Sequence, residues 1–238
     1  MPHVISVNLA RPRPNPTGSG VETTGIDKRP VDHAVSVRPP GPGPGPGAEE
    51  PGSGLVGDRV FDRQHHGGHD QAVYAYGREN LDMWARELGR ELGNGSFGEN
   101  LTTSGLDLEA ALIGERWRVG AAGPLLEVSA PRIPCATFAL WLDERRWVRR
   151  FTERALPGTY LRVIEPGEIV AGDGITIVSR PAHDLTIGEC FRALTTEADL
   201  LPRLLDVAEL PEYAREVARK RTAPAPAPEP APAPDRAG

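Results

Sequence analysis

The chain has 238 residues, 39% of them hydrophobic and 25% charged, with a formal net charge of −6 at pH 7. That length supports one sizeable core with at most a small appendage, and the acidic balance excludes a nucleic-acid binder with a broad basic face. Two cysteines, far apart in sequence, exclude a disulfide framework and a paired-cysteine zinc site. No basic segment leading into an apolar run opens the chain, and no apolar stretch reaches the ~18 residues of a membrane span. The expectation is a cytoplasmic protein in a reducing compartment, engaging neither membrane nor nucleic acid.

Taken in order, the pattern is mostly short strands. Val31, Val35 and Val37 alternate with polar positions, ahead of a Gly/Pro-rich stretch over 38–54 in which Gly41 to Gly47 alternates the two residues. Proline cannot donate to a ladder, so this stretch reads as an expanded, flexible surface loop. Ala72-Val73-Tyr74-Ala75-Tyr76, Trp117 with Val119, Leu126 with Val128, Tyr160 to Ile164, and Ile175 to Val178 continue the strand signal. Many short strands without βαβ alternation predict a mainly β barrel or sandwich. Two helices interrupt it. Leu81, Trp84, Ala85 and Leu88 fall at i, i+3, i+4 and i+7, with Gly89 as a stop. Trp141, Val148 and Phe151 predict one face of a second helix, whose Arg145, Arg146, Arg149 and Arg150 read as a solvated face.

Beyond Pro181 the period becomes helical. Asp184 is a candidate cap for a helix carrying Ile187, Cys190, Phe191 and Leu194, so Cys190 reads as core. Leu200, Leu201, Leu204 and Leu205 mark a second helix, and Pro211 opens a third that runs to about Arg221. The Ala-Pro repeat over 222–238 is expected to be disordered or polyproline-like.

Three stretches carry chemistry. His65-His66-Gly67-Gly68-His69-Asp70 concentrates imidazoles, but only His65 and His69 fit helical pairing and the two glycines oppose a helix, which speaks against zinc. The glycines suit a loop where backbone closely approaches a ligand, or a plain solvent turn. Gly95 to Thr103 frames an aromatic with glycines, and its Glu99 and Asn100 could read the edge of a heterocycle. In Pro131-Arg132-Ile133-Pro134-Cys135 two prolines stiffen the backbone and place a thiol three residues after a cation. That neighbourhood favours a thiolate, the form that binds metals and attacks electrophiles. A Cys-His-Asn nucleophile built with His66 or His69 and Asn100 has no support from sequence context. Metal ligand, redox thiol and buried structural cysteine all stay open on the residues alone.

The succession Ile26-Asp27-Lys28-Arg29-Pro30-Val31, Gly57-Asp58, His66-Gly67-Gly68 with Asp70 and Ala72-Val73, Tyr76, Phe97-Gly98-Glu99-Asn100-Leu101, Ile113-Gly114, Val119-Gly120, Pro131 to Cys135, Gly158-Thr159-Tyr160 and Gly172-Asp173 resembles a MOSC domain. This is the C-terminal domain type of molybdenum cofactor sulfurases, which also occurs as stand-alone proteins. The helices from Asp184 onward resemble the three-helix module that ends one stand-alone bacterial branch, which includes reductases of 6-hydroxylaminopurine.

The resemblance implies a β-barrel-like MOSC domain over 1–180, a three-helix module over 181–221, and a molybdopterin-type molybdenum cofactor. Cys135 would ligate molybdenum; His66, on the pterin and substrate side, is the further catalytic candidate, with a histidine or carboxylate near Cys135 as the proton source; and Arg132 would favour the thiolate and the anionic cofactor. Lys28 and Arg29 would meet the cofactor phosphate, while Gly67, Gly68, Glu99 and Asn100 would line the pterin and substrate side. The implied reaction takes R-NHOH to R-NH2 and would detoxify N-hydroxylated bases. With no iron–sulfur cysteine set and no dinucleotide fingerprint, electrons are expected from a separate reductase. The competing expectation is a sulfur or molybdopterin carrier holding a persulfide on Cys135. Two departures stand out: the Gly/Pro insertion is long, and His65 and His69 leave open which imidazole faces the site. Homodimerisation is also open.

Overall fold

The computed structural model describes residues 1–17, 21–40, 52–62 and 65–223. Residues 41–51 of the Gly/Pro-rich stretch and 224–238 of the Ala-Pro tail, for which a flexible loop and disorder are expected, lie outside the described residues. The chain begins with β1 (His3–Ala10), the small hairpin β2 (Arg13–Pro14) and β3 (Thr23–Thr24), then β4 (Lys28–Val31) and β5 (Val35–Val37). Next come β6 (Val73–Gly77), α1 (Arg78–Leu88), β7 (Leu101–Ser104), β8 (Arg116–Val119) and β9 (Leu125–Pro131). Helices α2 (Ala136–Leu142) and α3 (Trp147–Arg154) precede β10 (Thr159–Glu165), β11 (Gly167–Ile169) and β12 (Ile175–Ser179). The helices α4 (Ile187–Thr195) and α5 (Glu212–Thr222) flank a 3-10 helix at Ala198–Leu204.

Among the described residues, eight strands form one sheet in the order β12-β8-β9-β10-β6-β7-β1-β4. The sheet is barrel-like but not closed by a continuous ladder. Among the described residues, the start of the edge strand β12 reaches β1, the strand next to the other edge, through one bridge, His3 to Gly174, with backbone bonds from Ile175 N–H to Pro2 O (2.9 Å) and from Val4 N–H to Asp173 O (2.8 Å). One expectation needs correcting: β6 and β7 run parallel, Ala75 opposite Leu101, because α1 carries the chain back between them. A single βαβ unit therefore sits inside an otherwise antiparallel sheet.

Two cores hold this together. In the first, Val7, Val73, Leu101, Trp117, Leu126, Val128 and Leu161 of the sheet pack in one cluster with Ile187, Cys190, Leu201, Leu204 and Ala214 of the C-terminal helices. β9 is buried along its whole length because neighbouring strands flank it and α4 packs on it. The second core is aromatic: Tyr76, Trp84, Phe97, Phe138, Trp147, Phe151 and Phe191. Phe97 meets Phe138 edge-on at 5.0 Å, and Phe138 meets Trp147 at 5.4 Å and 88°. Full burial of each such ring is worth about 1.5–3 kcal/mol, so this cluster pins α2 and α3 to the sheet.

That cluster also explains why the expected second helix is two. The inward residues are Phe138, Leu142, Trp147 and Phe151, and the five-residue step from Leu142 to Trp147 would swing a continuous helix about 140° off its face. Asp143 and Arg146 adopt left-handed backbone (φ 51° and 56°), break the helix and restore the register. Val148, expected inward, is 41% exposed. The cap of α4 is Thr186, not Asp184. Its hydroxyl accepts from Glu189 N–H at 3.1 Å while the Glu189 carboxylate accepts from Thr186 N–H at 3.3 Å, a capping box that satisfies two orphan donors. Asp184 pairs with Arg203 instead. No helix among the described residues is long and apolar enough to cross a membrane.

Candidate functional site

A cleft of about 120 Å³ is lined by Arg132 and Cys135 just past β9, with Tyr160, Tyr74 and His66, and also by Asn15, Thr23, Thr24 and Arg59. Cys135 sits at the N-cap of α2 in extended backbone (φ −121°, ψ 171°), the conformation an N-cap adopts where a helix starts. Burial pushes its thiol up, but a hydrogen bond with His66, the charge of Arg132 and the Phe138 N–H outweigh that and bring it down from 9.0 to about 6. These neighbours favour the thiolate at neutral pH.

Arg132 is 7% exposed and sits over aromatic rings, its guanidinium carbon 3.8 Å from the Phe138 centroid and 5.5 Å from that of Tyr74. Its Nη1 is buried with no hydrogen-bond partner among the described residues. Burial raises the Tyr160 phenol while the Arg132 charge and hydrogen bond oppose that rise, so Tyr160 stays a neutral neighbour of the guanidinium.

The histidine loop settles which imidazole matters geometrically. His66 lines the cleft; His65 is exposed and pairs with Asp62 at 3.1 Å, and His69 is exposed beside Asp70. The loop is clamped to the sheet through Asp70, whose carboxylate accepts from Arg162 Nε at 2.6 Å and whose carbonyl accepts from Ser129 at 2.5 Å. Gly67 and Gly68 are left-handed (φ 79° and 82°), but neither lines the cleft. What Gly67 approaches is the chain itself: a Cβ there would lie 2.8 Å from Gly52 O. Gly68 donates its N–H to the same carbonyl at 2.9 Å.

The cleft floor is a buried polar network. Lys28 Nζ donates to both Asp58 oxygens at 2.6 and 2.7 Å, and Asp58 also accepts from Ser53 Oγ (2.7 Å), Asn100 Nδ2 (2.9 Å) and Ala10 N–H (2.8 Å). Burial would raise the Asp58 carboxyl, but Lys28 and these donors hold it below its usual range. Asn100 Oδ1 takes the Tyr74 N–H at 3.1 Å, which fixes its amide. The two cations expected together are separated: Lys28 faces the cleft, already paired, while Arg29 points to Asp27 at 2.6 Å and is not part of the lining. Glu99 is fully buried outside the lining, where its carboxylate accepts from Gly95 N–H (2.5 Å), Phe97 N–H (2.9 Å) and Thr102 Oγ1 (2.8 Å). Burial raises its pKa against those donors. It shapes the Gly95–Phe97 turn behind Asn100.

Sequence reasoning assigned no role to Asp58, Ser53, Tyr160 or Arg59. Only Asp58 left a signal, since a buried Lys28 demands a carboxylate, but nothing local says which one.

A MOSC domain model matches residues 62–176. The uncharacterized protein YflK of Bacillus subtilis is 31% identical over 92% of this chain and 93% of its own length. The chain belongs to the MOSC-domain family. The crystal structure of YiiM from Geobacillus stearothermophilus superposes with a TM-score of 0.73 at 26% identity, covering 94% of this chain and all of that one. A protein of Gibberella moniliformis named as a reductase is 30% identical over 72% of this chain, which spans only 32% of that longer protein. MOSC domains are associated with the molybdenum cofactor, and the donors present here fit such a group. A buried guanidinium nitrogen with no partner among the described residues suits an anionic acceptor, and a low-pKa thiol three residues away is a soft ligand suited to a sulfur-rich metal centre.

Proposed function

We propose that this MOSC protein binds a molybdopterin-type molybdenum cofactor and reduces N-hydroxylated small molecules, N-hydroxylated purine bases among them. The balance is R-NHOH + 2 e⁻ + 2 H⁺ → R-NH2 + H2O. The observation that carries the reading is the meeting in one cleft of the low-pKa Cys135 thiol, His66 and Arg132, whose Nη1 has no partner among the described residues. Cys135 would ligate the metal, Arg132 would neutralise an anionic oxygen of the cofactor, and the Lys28–Asp58–Asn100 floor would present fixed donors to its polar edge. When bound, the cofactor supplies the two-electron oxygen-atom chemistry. His66 holds a proton beside the sulfur, where a departing hydroxyl needs one to leave as water. Two cysteines are too few for a cysteine-ligated iron–sulfur cluster, so the electrons come from a separate donor. The name carried by the Gibberella relative supports an oxidoreductase.

The test is metal and pterin analysis of protein made in a molybdopterin-competent host, followed by turnover of 6-hydroxylaminopurine to adenine with dithionite-reduced methyl viologen. Bound molybdenum without turnover overturns this substrate class. A sulfur adduct on Cys135 without metal, seen by intact mass, favours a carrier instead. Cys135→Ser should lose the molybdenum.

A further inference from the structure

We infer that the exposed side of α2, with the turn that follows it, is the docking surface for an acidic electron-transfer protein; the inference rests on the reductase reading above. Helix α2 starts at Cys135 and carries no charged residue. It buries Phe138 and Leu142 but leaves Leu140 51% exposed, with Ala136 exposed one turn before it. Ile133, just upstream of Cys135, and Val148, at the start of α3, are each 41% exposed. Scattered apolar residues on a surface need no explanation, but Ala136 and Leu140, four apart on one side of α2, give the helix that follows Cys135 an apolar outer face.

Charge says what covers it. Arg145 and Arg146 are exposed in the turn after α2, and neither side chain makes a hydrogen bond or ion pair among the described residues, Arg146 contributing only its backbone carbonyl to Arg150 N–H. The next arginines are already compensated: Arg149 by Glu153, Arg150 by Glu144 and Glu87, and Arg154 by Glu87. The acid left beside the pair is Asp143. On a chain of net charge −6 this turn is a local positive spot next to that apolar face. Such a surface complements a protein that presents carboxylates around its redox centre, and electron-transfer encounters sit at the small end of interface sizes, below about 1,200 Å².

Position supplies the reason for this face. Leu140 lies five residues beyond Cys135, about 7.5 Å along the helix axis, so a donor seated on α2 stands within short range of the group that Cys135 would hold. Electrons would enter through the start of α2 while the substrate occupies the cleft, so the two need not compete.

The experiment uses cofactor-loaded protein, reduced acidic [2Fe–2S] ferredoxin fed by NADPH and ferredoxin reductase, and reduced methyl viologen as a donor too small to need docking. In the double variant Arg145→Glu, Arg146→Glu, ferredoxin-driven kcat/KM should fall about tenfold or more, and the wild-type rate should fall with added salt. Viologen-driven turnover should not change. Leu140→Gln should act in the same direction without altering charge. An unchanged ferredoxin rate, or equal loss with both donors, overturns the inference. Titrating ferredoxin into unloaded protein tests docking separately from turnover: weakened binding in the variants sustains the surface even if hydroxylaminopurine proves not to be a substrate, and absence of wild-type binding overturns it. Sedimentation decides between partners. A wild-type dimer that the variants split, with ferredoxin-driven rate intact, would make the face a self-association surface and end the proposal.

Discussion

Replacing His66 with alanine should move the titration of Cys135 upward, and the site indicates how far. The thiol titrates at about 6 against an ordinary 9.0; burial raises it, and hydrogen bonding and charge from His66, the charge of Arg132 and the Phe138 N–H lower it. Alanine at 66 removes both His66 contributions and leaves the burial penalty, so the midpoint should rise by about one unit or more, each unit being about 1.4 kcal/mol between the two protonation states. The assay is iodoacetamide alkylation of metal-free protein across a range of pH, read by intact mass. Absolute rate at neutral pH is a poor readout. A shift from about 6 to about 8.5 cuts the thiolate from ~90% to ~3% at pH 7, roughly 30-fold, but the more basic thiolate is about 13-fold more nucleophilic, leaving only a twofold change. The midpoint separates the cases. Stability shares the sign: because the folded pKa is depressed, the thiolate stabilises the protein fully above the ordinary value of 9.0, and that contribution is lost as pH falls through about 6. A midpoint still at 6 in His66→Ala would refute the pairing of imidazole and sulfur.

Three further outcomes follow from the same contacts. Asp58→Ala strands Lys28 in the cleft floor without its counter-charge and should cost about 3–5 kcal/mol in urea denaturation; a loss under 1 kcal/mol, read against the usual ~1 kcal/mol for a point change, would mean the pair is solvated. Since the Asp58 pKa is held down, that stability is present above the ordinary carboxylate range and disappears only as acid drives pH through the lowered value. Gly95→Ala puts a Cβ 2.4 Å from Lys28 O at φ +84° and should lower stability by about 2 kcal/mol or more in thermal melts, with an unaffected melt contradicting the close approach of that turn to β4. Cys190, fully buried and pushed up to about 12, should stay unlabelled in native protein and react only in denaturant, so a second adduct on the native chain would show that α4 opens.

Much of the fold was legible because it is written in short-range pattern. The alternation around Trp117 and Val119 marks β8, and Leu81, Trp84 and Leu88 mark α1 up to its left-handed Gly89. The neighbours of the thiol after Pro134 marked it as a candidate for chemistry but left its role open, a buried structural cysteine included. The parallel β6–β7 pair and the break between α2 and α3 were not legible, since both are set by what the elements pack against. Phe138 and Trp147 share one aromatic cluster only if the helix is interrupted.

The candidate site divides the same way. The amino-acid sequence by itself determined that a proline-stiffened cysteine lies near an arginine, that a histidine–glycine loop and a glycine-framed Glu99-Asn100 turn exist, and that the ordered motifs are those of a MOSC domain. Only the tertiary structure decided which of three histidines reaches the sulfur, that Lys28 is neutralised by Asp58 while Arg29 turns to Asp27, and that Glu99 is a buried brace and not a cleft residue. The reason is physical. Periodicity tells a side chain which face to take, but a buried charge must find its partner across the fold, and Lys28 and Asp58 are 30 residues apart with no local signal joining them.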